Sequence, residues 1–215
     1  KIGFKLTLDQ INAIKEINKD ISSEERMFRL LQGDVGSGKT VVSLIAAQNV
    51  VFNNYQVAFM APTEILAKQH YKLYKKIFDE TFKAEFLTGK TEYKKRKDIL
   101  KKLENKDINI IFGTHALFQK RIKFKKLGLV IVDEQHKFGV NQRIKLLEKS
   151  KNCHMLIMSA TPIPRSLSIA LYGEIDVSII KTKPKNRKKV TTSIISKKNI
   201  NNLISGIERK IKNDE

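Results

Sequence analysis

The octapeptide Gly33-Asp34-Val35-Gly36-Ser37-Gly38-Lys39-Thr40 constrains the fold more than any other segment of this chain. It sits between the apolar run Phe28–Gln32 and a second apolar run that starts near Val41. A chain with this order must leave an extended strand, curl through a glycine-rich turn and enter a helix. Three glycines tolerate the curl, so that successive N–H groups can point inward, and the helix N-terminus adds partial positive charge. The spacing is that of a phosphate-binding loop, G-x-x-x-x-G-K-[ST]. In such a loop Gly33, Asp34, Val35, Gly36, Ser37 and Gly38 form the cradle and Lys39 bridges the β- and γ-phosphates. The hydroxyl of Thr40 ligates Mg²⁺.

The strand before this loop and the helix after it belong to a longer pattern. From Phe28 to Thr161, short apolar runs alternate with amphipathic segments, which predicts repeated βα units and a parallel sheet covered on both faces. The fold class is α/β, a doubly wound parallel sheet. Strands are expected at Phe28–Gln32, Gln56–Ala61, Ala84–Leu87, Ile108–Gly113, Leu129–Asp133 and His154–Ser159. Helices fall between them, for example Ile65–Phe78 and Tyr93–Glu104. With 215 residues, 41% of them hydrophobic, the chain has enough apolar material for such a core.

Other classes are excluded by composition. Charged residues make up 30% of the chain, and its longest apolar stretch, Val41–Phe52, is broken by Ser43, Gln48 and Asn49, so a membrane span is excluded. The opening segment mixes Lys, Asp and Glu where a signal peptide needs an apolar centre, and the expectation is a piece of a cytoplasmic protein. Cys153 stands alone, and His70, His115, His136 and His154 lack the spacing of a zinc site. With 42 basic and 22 acidic residues the net charge is +20, a field that attracts phosphate polyanions. Nucleic acid is the natural partner, although only eight of the basic residues are Arg, and AT-rich codons, which favour Lys, Asn and Ile, explain the charge about as well.

The expected organisation is a main domain over residues 1–180, a basic linker over 181–189 and the incomplete start of a second domain over 190–215. The linker is marked by Lys181, Lys183, Lys185, Arg187, Lys188 and Lys189 around Pro184. Beyond it, Val190–Ser196 has strand character, and Asn199–Lys212 sets Ile200, Leu203, Ile204, Ile207 and Ile211 at helical spacing.

Two further strand ends carry chemistry. Leu129-Val130-Ile131-Val132 runs into the adjacent carboxylates Asp133 and Glu134, as at the tip of a central parallel strand. Asp133 would hold Mg²⁺ through its water shell, and Glu134 could accept a proton from the water attacking the γ-phosphate. Taken alone, such a pair is a helix cap and its neighbour; the phosphate loop makes the catalytic reading the stronger. Leu156-Ile157-Met158 ends in Ser159-Ala160-Thr161-Pro162, which by itself is a strand terminus with turn chemistry.

The strings GDVGSGKT, APTEILAKQH, LTGK, GTHALFQ, DEQHKFGVNQR and SATPIPRSL together resemble superfamily 2 helicases, and specifically the RecG-type ATP-dependent DNA helicases of bacteria. The transcription-repair coupling translocases are a near alternative, but they usually show a second Glu where this chain has Gln135. The resemblance implies a RecA-like domain that binds ATP and Mg²⁺. In the whole protein it implies a motor that remodels branched duplex DNA, such as replication forks and Holliday junctions, in recombination and repair. It implies that Gln10 recognises adenine, and that Thr63, Thr88, Gly89, Thr114 and His115 line the DNA-binding face. His136 would join the catalytic group. Gln142, Arg143, Ser159 and Thr161 would couple nucleotide state to DNA grip. Lys137, where Arg is usual, and Ser159, where Thr is common, depart from the pattern. The resemblance also implies that the remainder of the polypeptide, with a DNA-gripping wedge, a second motor domain and the arginines that complete the ATP site, is required for fast hydrolysis. Loss of such an arginine slows related phosphoryl transfers on the order of 10³ to 10⁵-fold.

Two other functions compete. A signalling GTPase needs Asn/Thr-Lys-x-Asp, but neither Asn18-Lys19-Asp20-Ile21 nor Asn105-Lys106-Asp107-Ile108 has Asp at the last place, so this reading is rejected. A basic nucleic-acid-binding module with a degenerate phosphate loop is disfavoured because no residue of the loop is missing.

Overall fold

Regular structure begins with a reciprocal cap. The Thr7 hydroxyl accepts the N–H of Gln10, and Gln10 Oε1 accepts the N–H of Thr7, which opens helix α1, Leu8–Ile21. The computed structural model describes residues 3, 5–78, 82–119, 121–134, 153–161, 175–182 and 194–212. Its backbone divides into two compact units, Lys1–Pro184 and Lys185–Glu215.

In the first unit α1 is followed by β1 (Phe28–Gly33), α2 (Lys39–Phe52), β2 (Gln56–Met60), α3 (Glu64–Ile77) and β3 (Ala84–Leu87). Then come α4 (Tyr93–Asn105), β4 (Ile110–Gly113), a 3₁₀ turn (His115–Phe118), β5 (Leu127–Asp133), β6 (His154–Ser159) and β7 (Asp176–Ile180). The strands form one sheet in the order β3-β4-β2-β5-β6-β1-β7, with every described pairing parallel. Because the strands are parallel, their C-terminal ends all lie along one edge, where α/β sheets bind ligands.

Alternate strand residues face opposite layers. Leu31, Phe59, Phe112, Ile131 and Leu156 join a core with Ile17 of α1, Val42 and Val50 of α2 and Tyr74 of α3. Their neighbours Leu30, Ala58, Ile111, Val130 and Ile157 join a second core with Ile99 and Leu103 of α4. Helices therefore cover both faces, which is why the central strands read as unbroken apolar runs. The sequence expectation of a doubly wound parallel sheet holds.

Boundaries differ in small ways. The fourth strand starts at Ile110, two residues later than expected, and the fifth starts at Leu127, two residues earlier. Strand β7 was not expected. It pairs with β1 from Arg29↔Asp176 to Gly33↔Ile180, and only part of its length is buried. As an edge strand it lacks the continuous apolar signal of its neighbours. A buried Arg29 fastens it: the guanidinium donates to Ser178 Oγ at 3.0 Å and to Asp20 Oδ2 at 2.6 Å.

The second unit contains a short 3₁₀ turn, Lys197–Asn199, and helix α5, Ile200–Lys212, one residue shorter at its start than the spacing predicts. Of the expected strand at Val190–Ser196, residues 190–193 lie outside the described set, and Ile194, Ile195 and Ser196 have no regular structure. No helix among the described residues is long and apolar enough to cross a membrane.

Candidate functional site

Three of the loops singled out by sequence leave the sheet side by side. Strands β5, β6 and β1 are neighbours, so the acidic pair, the Ser159–Thr161 turn and the glycine loop emerge together at the C-terminal edge.

Within the loop, Asp34, Val35 and Gly36 are exposed, whereas Ser37 and Lys39 are buried. Gly38 holds φ +92°, and a Cβ there would lie 2.2 Å from Gln10 Nε2. Gly33 faces a similar limit, because its Cβ would meet Ser37 Oγ at 2.6 Å and Ile180 O at 2.9 Å. The loop can therefore curl and pack tightly only with glycine at these places. Among the described residues, no side chain caps the N-terminus of α2 at Gly38. Ser37 Oγ is buried and has no hydrogen-bond partner among the described residues. Unclaimed helix N–H groups, an orphaned hydroxyl and an open loop suit an anionic ligand rich in acceptor oxygens.

Lys39 Nζ donates to the loop carbonyls of Gly33 at 2.6 Å and Asp34 at 3.1 Å. Burial pulls its amine below the usual lysine range, partly opposed by the negative charges of Glu134, Asp133 and Asp34. The two carboxylates at the end of β5 thus act on the same amine that the loop presents. Glu134 adopts φ +47°, rare for a non-glycine residue, and its Oε1 accepts the N–H of Ala160 at 3.0 Å. That bond joins the acidic pair to the turn after β6. In this turn Ser159 Oγ lies 3.0 Å from Thr161 Oγ1 and accepts the N–H of Thr161 at 3.3 Å. Gln32 at the end of β1 donates through Nε2 to Thr161 O at 3.3 Å, closing the circle from acidic pair to phosphate loop.

Gln10 is buried at 3% exposure, and its Nε2 donates to Ser37 O at 2.7 Å. The capping glutamine and the loop-contacting glutamine are one residue. Each amide atom keeps further capacity, since the NH₂ has a second N–H and the oxygen a second lone pair.

The remaining predicted residues lie past β2, β4 and β3, the neighbouring half of the same edge. Thr63 is exposed and caps α3, accepting the N–H of Leu66 at 3.3 Å. Gly89 and His115 are exposed. Thr88 and Thr114 are buried, at 4% and 5% exposure, so they shape their loops from within. Thr88 Oγ1 accepts the N–H of Lys90 at 3.3 Å. Arg96 spans two of these loops, donating to Thr88 O at 3.2 Å and to Gln119 Oε1 at 2.8 Å. His136, Gln142 and Arg143 lie outside the described residues, as does Gln135.

Sequence reasoning passed over His70. It is buried on α3, and its Nε2–H donates to Asp133 Oδ2 at 2.8 Å. No local signal marks it, because its partner lies 63 residues away in the chain.

No group of three or more His, Cys, Asp or Glu among the described residues could hold a metal ion by itself, and Thr40 and Asp133 are the oxygen donors that the sequence reading assigns to one. Thr40 starts α2 beside Lys39, and Asp133 ends β5. Hard oxygen donors of this kind fit Mg²⁺.

Fold and site together define a phosphate-loop domain of the RecA-like helicase kind. The family model for DEAD/DEAH box helicases matches residues 7–169, and the chain belongs to that family. It is similar to an ATP-dependent DNA helicase RecG of Aquifex aeolicus, with 47% identity over 215 residues, 99% of this chain and 27% of the relative. The RecG of Staphylococcus aureus (strain MRSA252) is 49% identical over 193 residues, 90% of this chain and 28% of the relative. A solved structure of RecG bound to a three-way DNA junction aligns with TM-score 0.82 and 41% identity, covering 98% of this chain and 28% of that one. The chain spans a little over a quarter of the length of these relatives. A DEAD-box helicase, Mss116, shares the fold at TM-score 0.68 and 23% identity.

Proposed function

We propose that this chain is the ATP-binding motor domain of a DNA helicase that couples ATP hydrolysis to remodelling of branched duplex DNA in recombination and repair. The observation that carries the reading is the convergence of Lys39, Asp133 and Glu134 at one sheet edge, with Glu134 hydrogen-bonded to the turn after β6. The DNA partner is supported by the net charge of +20 and by the relative solved on a three-way junction. On this reading the protein meets its DNA in the cytoplasm.

On this reading Lys39 exchanges its two carbonyl partners for the β- and γ-phosphates. Thr40 and Asp133 hold Mg²⁺, which when bound neutralises phosphate charge. Glu134 accepts a proton from the attacking water, and its bond to Ala160 makes the Ser159–Thr161 turn responsive to that event. Gln10 offers its remaining donor and acceptor to adenine. Thr63, Gly89 and His115 meet the DNA backbone directly, and Thr88 and Thr114 keep their loops in shape for it. Gln142 and Arg143 relay the DNA-bound state, and His136 joins the catalytic group. The remainder of the polypeptide supplies a wedge, a second motor domain and the completing arginines, so residues 1–215 alone bind nucleotide and hydrolyse it slowly.

The test is DNA-stimulated hydrolysis by the full-length protein. Branched DNA should raise ATP turnover, Lys39→Ala should abolish it, and GTP should compete poorly. Turnover that ignores DNA, or that survives Lys39→Ala, contradicts the proposal.

A further inference from the structure

We infer that His70 is a positioning residue for the metal-holding carboxylate. The inference rests on the ATP and Mg²⁺ reading of the site proposed above. A carboxylate at a strand end can rotate about two side-chain torsions, and a cation held through one of its oxygens is held well only if that rotation is stopped. In this protein the stop is His70. Its Nε2 lies 2.8 Å from Asp133 Oδ2, and both side chains are nearly closed to solvent, at 10% and 12% exposure. A carboxylate oxygen only accepts, so Nε2 carries the proton and donates it. Oδ2 is thereby engaged, and Oδ1 is the oxygen that would face a metal.

The imidazole is itself braced. It rides on α3, and its ring packs on Phe59 of β2 with centroids 4.8 Å apart. Strand β2 pairs with β5, in the register Met60↔Val132, one residue before Asp133. The brace and the carboxylate therefore stand on adjacent strands of one rigid sheet. Outer partners of this kind, fixing the orientation of a ligand without touching the ion, typically contribute a factor of about 10 to 100 in metal affinity.

The experiment uses the full-length protein with Mn²⁺ as the probe. Its binding to the ADP complex is followed by electron paramagnetic resonance, alongside nucleotide affinity in EDTA and thermal unfolding. His70→Gln keeps an N–H at the reach of Nε2, and His70→Asn, similar in polarity, stops short of Asp133. His70→Asn should weaken Mn²⁺ binding about 10 to 100-fold, and His70→Gln should recover most of it. Metal-free nucleotide affinity should stay at the wild-type value in both. Equal Mn²⁺ affinity in the two variants, whether unchanged or equally reduced, would overturn the assignment. If wild-type protein binds no nucleotide either with Mn²⁺ or in EDTA, the ATP reading fails instead, and this inference with it.

Discussion

Gln10 performs two structural tasks at once, and removing its side chain should expose both. In Gln10→Ala the N–H of Thr7 loses its acceptor and the carbonyl of Ser37 loses its donor. The first loss is that of half a capping box, worth about 1 kcal/mol. The second leaves a carbonyl of a buried loop residue without its partner, a loss of about 1–3 kcal/mol. Together they amount to about 2–4 kcal/mol. For a domain of this size each kcal/mol lowers the melting temperature by about 2–4 °C, so a fall of about 5–15 °C is expected by calorimetry. Gln10→Glu separates the two tasks. Its carboxylate still accepts from Thr7 but presents an acceptor to the Ser37 carbonyl, so it should destabilise the loop at least as much. A melting temperature within about 1 °C of wild type for Gln10→Ala would refute the argument, since two hydrogen bonds of ordinary strength cannot vanish so quietly.

Two titrations follow from the same geometry. Burial depresses the Lys39 amine, and a triphosphate laid against it restores the charged form, so nucleotide binding at alkaline pH should take up protons and weaken as pH rises through the depressed lysine value. Calorimetry in buffers of different ionisation heat reads the uptake directly; zero uptake in wild type would contradict the placement of phosphate at Lys39. His154 is likewise lowered from 6.5 by burial, and its Nδ1 accepts the N–H of Met27 at 3.1 Å. The unfolded chain therefore binds this proton more tightly, so the stabilisation is whole above about 6.5 and is lost as pH falls toward the folded value. His154→Asn keeps an acceptor for Met27 and cannot titrate, so its melting temperature should fall less steeply over that window. An identical acid slope in both proteins would rule His154 out.

Much of this protein is written locally. The strand, the glycine loop and the helix around Lys39 follow from eight consecutive residues and their apolar flanks, because phosphate cradling needs only backbone curl, a helix N-terminus and one amine. The parallel sheet follows from apolar runs long enough to be buried on both faces. Local sequence could not reveal β7, whose half-exposed edge carries only a weak alternation, nor the double engagement of Gln10, whose partner Ser37 is 27 residues away. It also gave no pair for His70. On its own, a histidine within an amphipathic helix looks like a satisfied core residue, and only the adjacency of β2 and β5 brings it to Asp133. The bond from Glu134 to Ala160 has the same origin, arising because strands far apart in sequence end side by side. Motif chemistry is fixed by the residues within a few positions of one another. Which motifs touch, and which atoms of each are already committed, is decided by strand order, because the sheet alone sets the distances between segments that the chain keeps apart.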